Sequence, residues 1–369
     1  MTSHSGLSRR EFVKMAGLAT VGAREGGQWA TIGSKRPRVA FVGVMGHGVH
    51  VYAIDRNGWW LQQVVASEAP VSLALHPSGE SLYVLHEVSE YEGLPSGSVG
   101  TYKVDRNTGR LTLLGQQGLA LSATMPRHLA VAPDGRSLVV AVHGGGAYNV
   151  LPIQADGQLG RVCGILKETG CGPNAEHQEA AHPQAILFDP SGKRVIAVDM
   201  GADRMSVLSL EDGLQVLARH EMQSGSGPRH IALHPVGHLL YVAHALDDSV
   251  CGFAYDSNAG KIMQQLVQVR ARCAGALAIH PTGSFLYTAG SGEVTVWRIE
   301  IATGTLQRMQ QQNVGMDEIR GMTVLADGRE LLTLTAQGVL QMDIDAKTGR
   351  LGMPIRVAWA TGTRCIAFL

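Results

Sequence analysis

Apolar and polar positions along this chain fall into short runs that return at a regular interval. A short apolar run leads into a tight turn built on Pro and Gly, a second apolar run follows, and an Asp/Thr/Gly turn comes later. The block reads VSLALHPSGESLYVL, RHLAVAPDGRSLVVA, QAILFDPSGKRVIAV, RHIALHPVGHLLYVA, GALAIHPTGSFLYTA and RGMTVLADGRELLTL. Its turn residue falls at Pro77, Pro133, Pro190, Pro235, Pro281 and Ala326, at intervals of 56, 57, 45, 46 and 45 residues. Apolar runs this short, bounded by turn residues and repeated at such a period, predict strands in a repeat architecture.

The later turn supplies an independent count, because a turn of this kind between two apolar runs is a hairpin signal. It occurs at Gly58, Gly109, Gly157, Gly213, Gly260, Gly304 and Gly349. Four short strands in about 45 residues is the spacing of a propeller blade. Six full blocks and seven hairpins therefore predict an all-β, seven-bladed β-propeller with four antiparallel strands per blade. TGTRCIAFL reads as a further inner strand, and RVAFVGVMGHGVHVYAIDRNGWWLQQV as three strands that lack one. Pairing the C-terminal strand with the N-terminal strands completes a blade and closes the ring without open edges.

Length and composition fit this reading. One ring over 37–369 accommodates the chain without a linker. The 31 basic and 31 acidic residues show no run of like charge, which argues against nucleic acid or an anionic membrane surface as a partner. No stretch approaches the apolar length of a spanning helix. Two periods are longer than the rest, and their extra residues fall in HEVSEYEGLPSGS and ILKETGCGPNAEHQEAAH, loops of the kind that shape a site. The five cysteines, Cys163, Cys171, Cys251, Cys273 and Cys365, are scattered. Most read as small buried core residues, with a Cys163–Cys171 pair as the alternative in an oxidising compartment. No C-x-x-C, H-E-x-x-H or Asp-rich calcium loop is present, so the sequence calls for neither a metal nor another cofactor.

Residues 1–36 do not belong to the ring. They contain SRREFVK, which resembles the twin-arginine export signal, with Arg9 and Arg10 as the pair and FVKMAGLATVGA as an apolar stretch that Arg24 and Glu25 follow. The expectation is export to the periplasm as a folded protein; the alternative is a disordered leader on a cytoplasmic one.

The first strand of each blade lines the central channel, so equivalent positions form rings around one axis. The residue six before each turn is Val71, Arg127, Gln184, Arg229, Gly275 and Arg320, and the C-terminal strand adds Arg364. Four arginines on one axis predict an anion site; the plainer alternative pairs each with a neighbouring blade. Ten residues after each turn stand Glu87, His143, Met200, Ala245, Ser291 and Ala336. Glu87 and His143, on adjacent blades, would form an acid/base pair over that site, or else a surface Glu and an interblade His. His76, His234 and His280 precede their turns and are expected to make blade-corner hydrogen bonds.

The blocks PRHLAVAPDGRSLVVAVHGGGAYNVLPI, HPQAILFDPSGKRVIAVDMGADRMSVLSL and GPRHIALHPVGHLLYVAHALDDSVCGF resemble the seven-bladed propeller lactonase family. That family includes cycloisomerase-type 6-phosphogluconolactonases and carboxy-cis,cis-muconate cyclase. Its most specific pieces here are G-P-R-H at Gly227–His230, D-x-G-x-D-R at Asp199–Arg204, and LYVLHE ending at Glu87. The resemblance implies that Arg229 and Arg320 hold an anionic sugar lactone; the ring positions add Arg127, Arg364 and Gln184 as binding candidates, and Asp199 is a further one. The family's histidine falls on Gln184, with His182 two residues earlier and on the same strand face if alternation holds. The family's second-site glutamate falls on Ala245. His182, Glu87 and His143 are therefore the candidates for proton transfer. Two expectations stand: a hydrolase opening an anionic sugar lactone, and a non-catalytic propeller that binds an anionic sugar or a protein partner.

Overall fold

In the computed structural model, residues 38–369 are described apart from 212, 272–275 and 316, so the leader with Arg9 and Arg10, Cys273 and Gly275 lie outside the described residues. Those residues form 28 strands, numbered β1–β28 in chain order, in seven four-stranded antiparallel sheets. Six sheets use consecutive strands and span 70–118, 126–167, 183–221, 228–270, 276–313 and 319–359. The seventh is composite: β28 (Thr363–Phe368) pairs with β1 (Val39–Val44), followed by β2 (Gly48–Asp55) and β3 (Gly58–Val65). The chain is thus a seven-bladed β-propeller closed by its C-terminal strand, as the repeat count predicts.

Burial follows position within the blade. Second strands such as β5 (Ser81–His86), β17 (Leu239–His244) and β21 (Phe285–Gly290) are buried along their whole length. Neighbouring blades cover both of their faces, which is why these segments read as continuous apolar runs rather than alternating ones. Outer strands such as β15 (Gln215–Glu221) alternate between exposed and half-buried positions. The core therefore consists of layers between blades; Tyr83 and Leu85 of one blade, for instance, pack with Leu129 and Val140 of the next. At the closure Gly43 is required sterically, because a Cβ there would run into the Cys365 sulfur.

At three junctions, two repeated hydrogen bonds tie a blade to its neighbour. The Nε2 atoms of His76, His234 and His280 meet the carbonyls of Gly135, Gly283 and Gly328 at 3.0, 2.9 and 2.8 Å. A carbonyl only accepts, so each Nε2 carries the proton, and the expected blade-corner role is observed. The Tyr83, Tyr241 and Tyr287 hydroxyls donate to the carbonyls of Gly157, Gly304 and Gly349 at 2.8, 3.0 and 3.1 Å.

The cysteine expectation divides. Cys251 and Cys365 are buried, whereas Cys163 and Cys171 are exposed free thiols. Both flank β11 (Gly164–Lys167), an outer strand facing solvent, so neither joins a core layer and the two are not paired.

Candidate functional site

Every described ring position is a β-bulge. In β4 (Pro70–Leu75) pairing with the second strand passes from Pro70 to Ser72 and skips Val71. In β8 (Pro126–Val131) it skips Arg127, in β12 (Pro183–Phe188) Gln184, in β16 (Pro228–Leu233) Arg229, and in β24 (Ile319–Val324) Arg320. At the closure, Gly43 faces Cys365 and Val44 faces Thr363, which leaves Arg364 unpaired. A bulged residue is released from the ladder and its side chain re-aimed. Repeating the device around the ring points these side chains down one axis.

They line a central cavity of about 390 Å³, with Arg127, Gln184, Arg229, Arg320 and Arg364 in its wall. That volume suits a small ligand. The guanidinium groups sense one another: burial, then Arg364 and Arg229, push the Arg127 pKa down to about 10. Burial chiefly, opposed by the Glu318 carboxylate and reinforced by Arg364, also lowers that of Arg229. Four cations thus share one desolvated site, and the anion-site expectation has its geometry.

Their internal partners differ. Glu87 is buried and ion-paired through Oε1 to Arg127 and through Oε2 to Arg364. It joins three blades across the closure. With one guanidinium donor on each oxygen, the carboxylate clamps the two arginines together. Arg229 interacts electrostatically with Glu318, whose charge favours the guanidinium cation. Arg320 meets only Glu318, at 3.6 Å, and its Nε makes no hydrogen bond. Glu318 also lines the cavity. It escaped the periodic reading because it lies just before β24 and not at a ring position; its only signal is a carboxylate two residues ahead of Arg320.

His143, just after β9 (Ser137–Val142), stands beside the bulged Gln184, whose Nε2 lies 2.8 Å from His143 Nδ1. Burial, followed by the charges of His182 and Arg127, pushes its pKa down to about 4, so the ring is neutral near pH 7. His182 stacks on it with centroids 4.1 Å apart and planes 18° apart. Its Nδ1 faces the His143 carbonyl at 3.1 Å and its Nε2 faces Glu179 at 2.9 Å. Both ring nitrogens of His182 are therefore committed to acceptors, and the residue buttresses His143 instead of reaching the channel. The shared-face expectation fails because the bulge at Gln184 breaks the alternation on which it rests. Glu179, in the second long loop, is a further residue that counting along the strands does not find.

Asp199 is buried away from the channel. Its Oδ1 accepts the backbone N–H groups of His182 at 2.7 Å and Ala202 at 3.0 Å, and burial pushes its pKa up. Its geometry is that of a support for His182, not of a ligand contact. Asp203 does similar work nearby: it accepts the N–H groups of Gly225 at 2.6 Å and Gly227 at 2.8 Å, fixing the turn that leads into Arg229. The D-x-G-x-D-R and G-P-R-H segments are thus one supporting unit. Among the described residues no group of three or more His, Cys, Asp or Glu side chains has the arrangement of a metal site.

Comparison with known proteins agrees with this architecture. A 6-phosphogluconolactonase of Bacillus subtilis is 32% identical over 228 residues, covering 59% of this chain and 63% of that protein's length. A 6-phosphogluconolactonase of Pectobacterium atrosepticum is 29% identical over 339 residues, covering 87% of this chain and 95% of its own. The solved structure of a periplasmic gluconolactonase of Pseudomonas aeruginosa superposes with a TM-score of 0.81 at 24% identity, covering 90% of this chain and 98% of that one. The family pattern described as lactonase, 7-bladed beta-propeller, matches residues 40–368. With its ring, its closure and its match over nearly the whole propeller, the chain belongs to the seven-bladed β-propeller lactonase family.

Proposed function

We propose that the chain is a lactone hydrolase that opens an anionic sugar lactone in the central channel. The observation that carries this reading is the convergence of bulged arginines beside a neutral histidine. The names of the Bacillus and Pectobacterium relatives support the reaction class.

Hydrolysis needs a polarised carbonyl, an activated water and support for the tetrahedral oxyanion. Arg229 and Arg320 supply positive charge for the ligand's anionic group and for the developing oxyanion. Of the three proton-transfer candidates only His143 keeps a ring nitrogen, Nε2, outside the internal network described above. Its tautomer is governed by Gln184. With the amide nitrogen donating to Nδ1, the ring proton sits on Nε2; with the amide turned end for end, its oxygen accepts Nδ1–H and Nε2 becomes the base. Water then attacks the carbonyl carbon as Nε2 takes its proton. The carbon–ring-oxygen bond breaks, and the same proton passes to the departing oxygen, giving the open hydroxy acid.

Purified protein assayed on 6-phosphogluconolactone and other acidic lactones tests this directly. His143→Ala is expected to lower kcat about 10²- to 10⁴-fold, the usual contribution of a positioned base, while the protein stays folded at the assay temperature. Because the base acts unprotonated and its pKa is lowered to about 4, wild-type activity should hold as pH falls through 6.5 and decline only near 4. If no lactone opens faster than in buffer while an anionic sugar still raises the melting temperature, the channel binds without catalysing.

The same proposal includes export. The twin-arginine motif at Arg9 and Arg10 supports a periplasmic site of action, and no described helix is long and apolar enough to cross a membrane. Fusing residues 1–36 to a folded reporter should place it in the periplasm, and Arg9→Lys with Arg10→Lys should retain it in the cytoplasm; equal location of both fusions would refute export.

A further inference from the structure

We infer that Glu179 is a positioning residue for His143: presented by the second long loop, its carboxylate makes His182 the cation stacked on His143, and so keeps His143 unprotonated and ready to accept a proton. The inference rests on His143 being the base of the proposed reaction and adds the residue that governs its charge.

The loop is built to present that carboxylate. Next to Glu179 stands Gln178, which is fully buried. Its Nε2 donates to the Met200 carbonyl at 2.8 Å, and its Oε1 accepts the Asn174 N–H at 3.2 Å. Three residues after Glu179, the His182 N–H is held by Asp199 at 2.7 Å. Glu179 is thus fixed between two anchors, although its side chain is 59% exposed. Its own backbone N–H, opposed by burial and reinforced by His182, holds its carboxyl below the ordinary range, so it is ionised near pH 7. The His182 ring then meets an acceptor at each nitrogen, the His143 carbonyl at Nδ1 and this carboxylate at Nε2. A neutral imidazole has one N–H and satisfies one of them; an imidazolium satisfies both. A largely exposed ion pair adds little to stability, so what this one supplies is charge. The charged groups that act on His143 are His182 and Glu179 at the end of the loop, Arg127 on β8 and Arg229 on β16, with His182 the strongest of them. Removing the Glu179 charge lets His182 become neutral. His143 then loses the cation on its face together with the weaker influence of the carboxylate, and the net effect is to make it easier to protonate.

NMR of the two imidazole rings, assigned by the signals lost in His182→Ala and in His143→Ala, tests this without turnover. In the wild-type protein near pH 7, the nitrogen shifts should show both ring nitrogens of His182 protonated and one of His143. In Glu179→Gln, whose amide can donate to Nε2, His182 should carry a single proton. The titration midpoint of His143 should then rise by about one pH unit, the usual effect of a charge at this range. With 6-phosphogluconolactone as substrate, the ratio of kcat/KM at pH 4.5 to that at pH 7.5 should fall about threefold in the variant, as that shift requires. Glu179→Ala repeats the measurement if the Gln variant does not fold. A singly protonated His182 in the wild type, an unmoved His143 midpoint in a folded variant, or an unmoved rate ratio in an active one would overturn the inference. Absence of lactone turnover with the expected ring protonation would remove the hydrolase reading and leave the control of His143 by Glu179 standing, whereas turnover with a neutral His182 would do the reverse.

Discussion

A chain shortened by its last nine residues, Thr361–Leu369, is expected not to fold. The deletion removes β28, whose Ile366 lies opposite Val42 and whose Ala367 lies opposite Phe41 in the closing blade. Ile366 and Phe368 pack on the layer containing Ala40, Val42 and Leu334, and Ala367 and Leu369 pack on the layer containing Phe41 and Val84. Two interblade layers are opened at once, one on each side of the closure. Uncovering even a few such side chains, at about 1.5–3 kcal/mol each, approaches the whole margin of about 5–15 kcal/mol that keeps a domain folded. The ladder edge of β1 is also exposed to other chains, and Glu87 loses one of its two cations while it stays buried. Soluble yield and a circular-dichroism melt measure the outcome. A soluble truncated protein that melts cooperatively near the full-length temperature would show that closure by β28 is dispensable.

Arg229→Ala is expected to remove ligand binding while the propeller stays intact. Arg229 occupies a bulge, so its backbone already stands outside the ladder, and the carboxylate that its charge offsets, Glu318, is largely exposed. Its loss strands no buried partner, so stability should change by less than about 1 kcal/mol, as is usual for substitutions away from such features. Charged hydrogen bonds are worth roughly 1.5–3 kcal/mol each; losing a two-point contact should weaken binding of an anionic sugar by about 10²-fold or more, with activity falling at least as far. Arg127→Ala provides the contrast, because it leaves Glu87 with an unsatisfied oxygen and should lower the melting temperature. Titration and melting of the two variants side by side measure the distinction. Unchanged affinity in Arg229→Ala would mean that the ligand site lies elsewhere.

Fold and ring were legible because both depend on period. The spacing of Pro77 through Ala326 fixed the blade count, and counting six residues back from each turn found the arginines that the structure gathers. Counting does not show why those residues face the axis. A bulge appears only as a skipped partner between strands, and its effect is to make the period-two rule fail just where it was applied to His182 and Gln184. Pairing was equally hidden. That Glu87 spends both oxygens on Arg127 and Arg364, and that Glu179 meets His182, depends on which blades abut and how a loop returns. Glu318 reaches the cavity from a residue just outside a strand, where no periodic position marks it.

The histidine and tyrosine bonds between blades end on glycine carbonyls, groups that do not depend on the neighbour's side chains. The turns that present them sit at left-handed φ, from 69° to 84°, where glycine is the residue of least strain. A blade that keeps its two glycine turns can therefore accept the joint whatever its strands contain. Duplication or exchange of whole blades then needs no compensating change next door, which lets the lining of the pore diverge during evolution while the wheel that carries it persists.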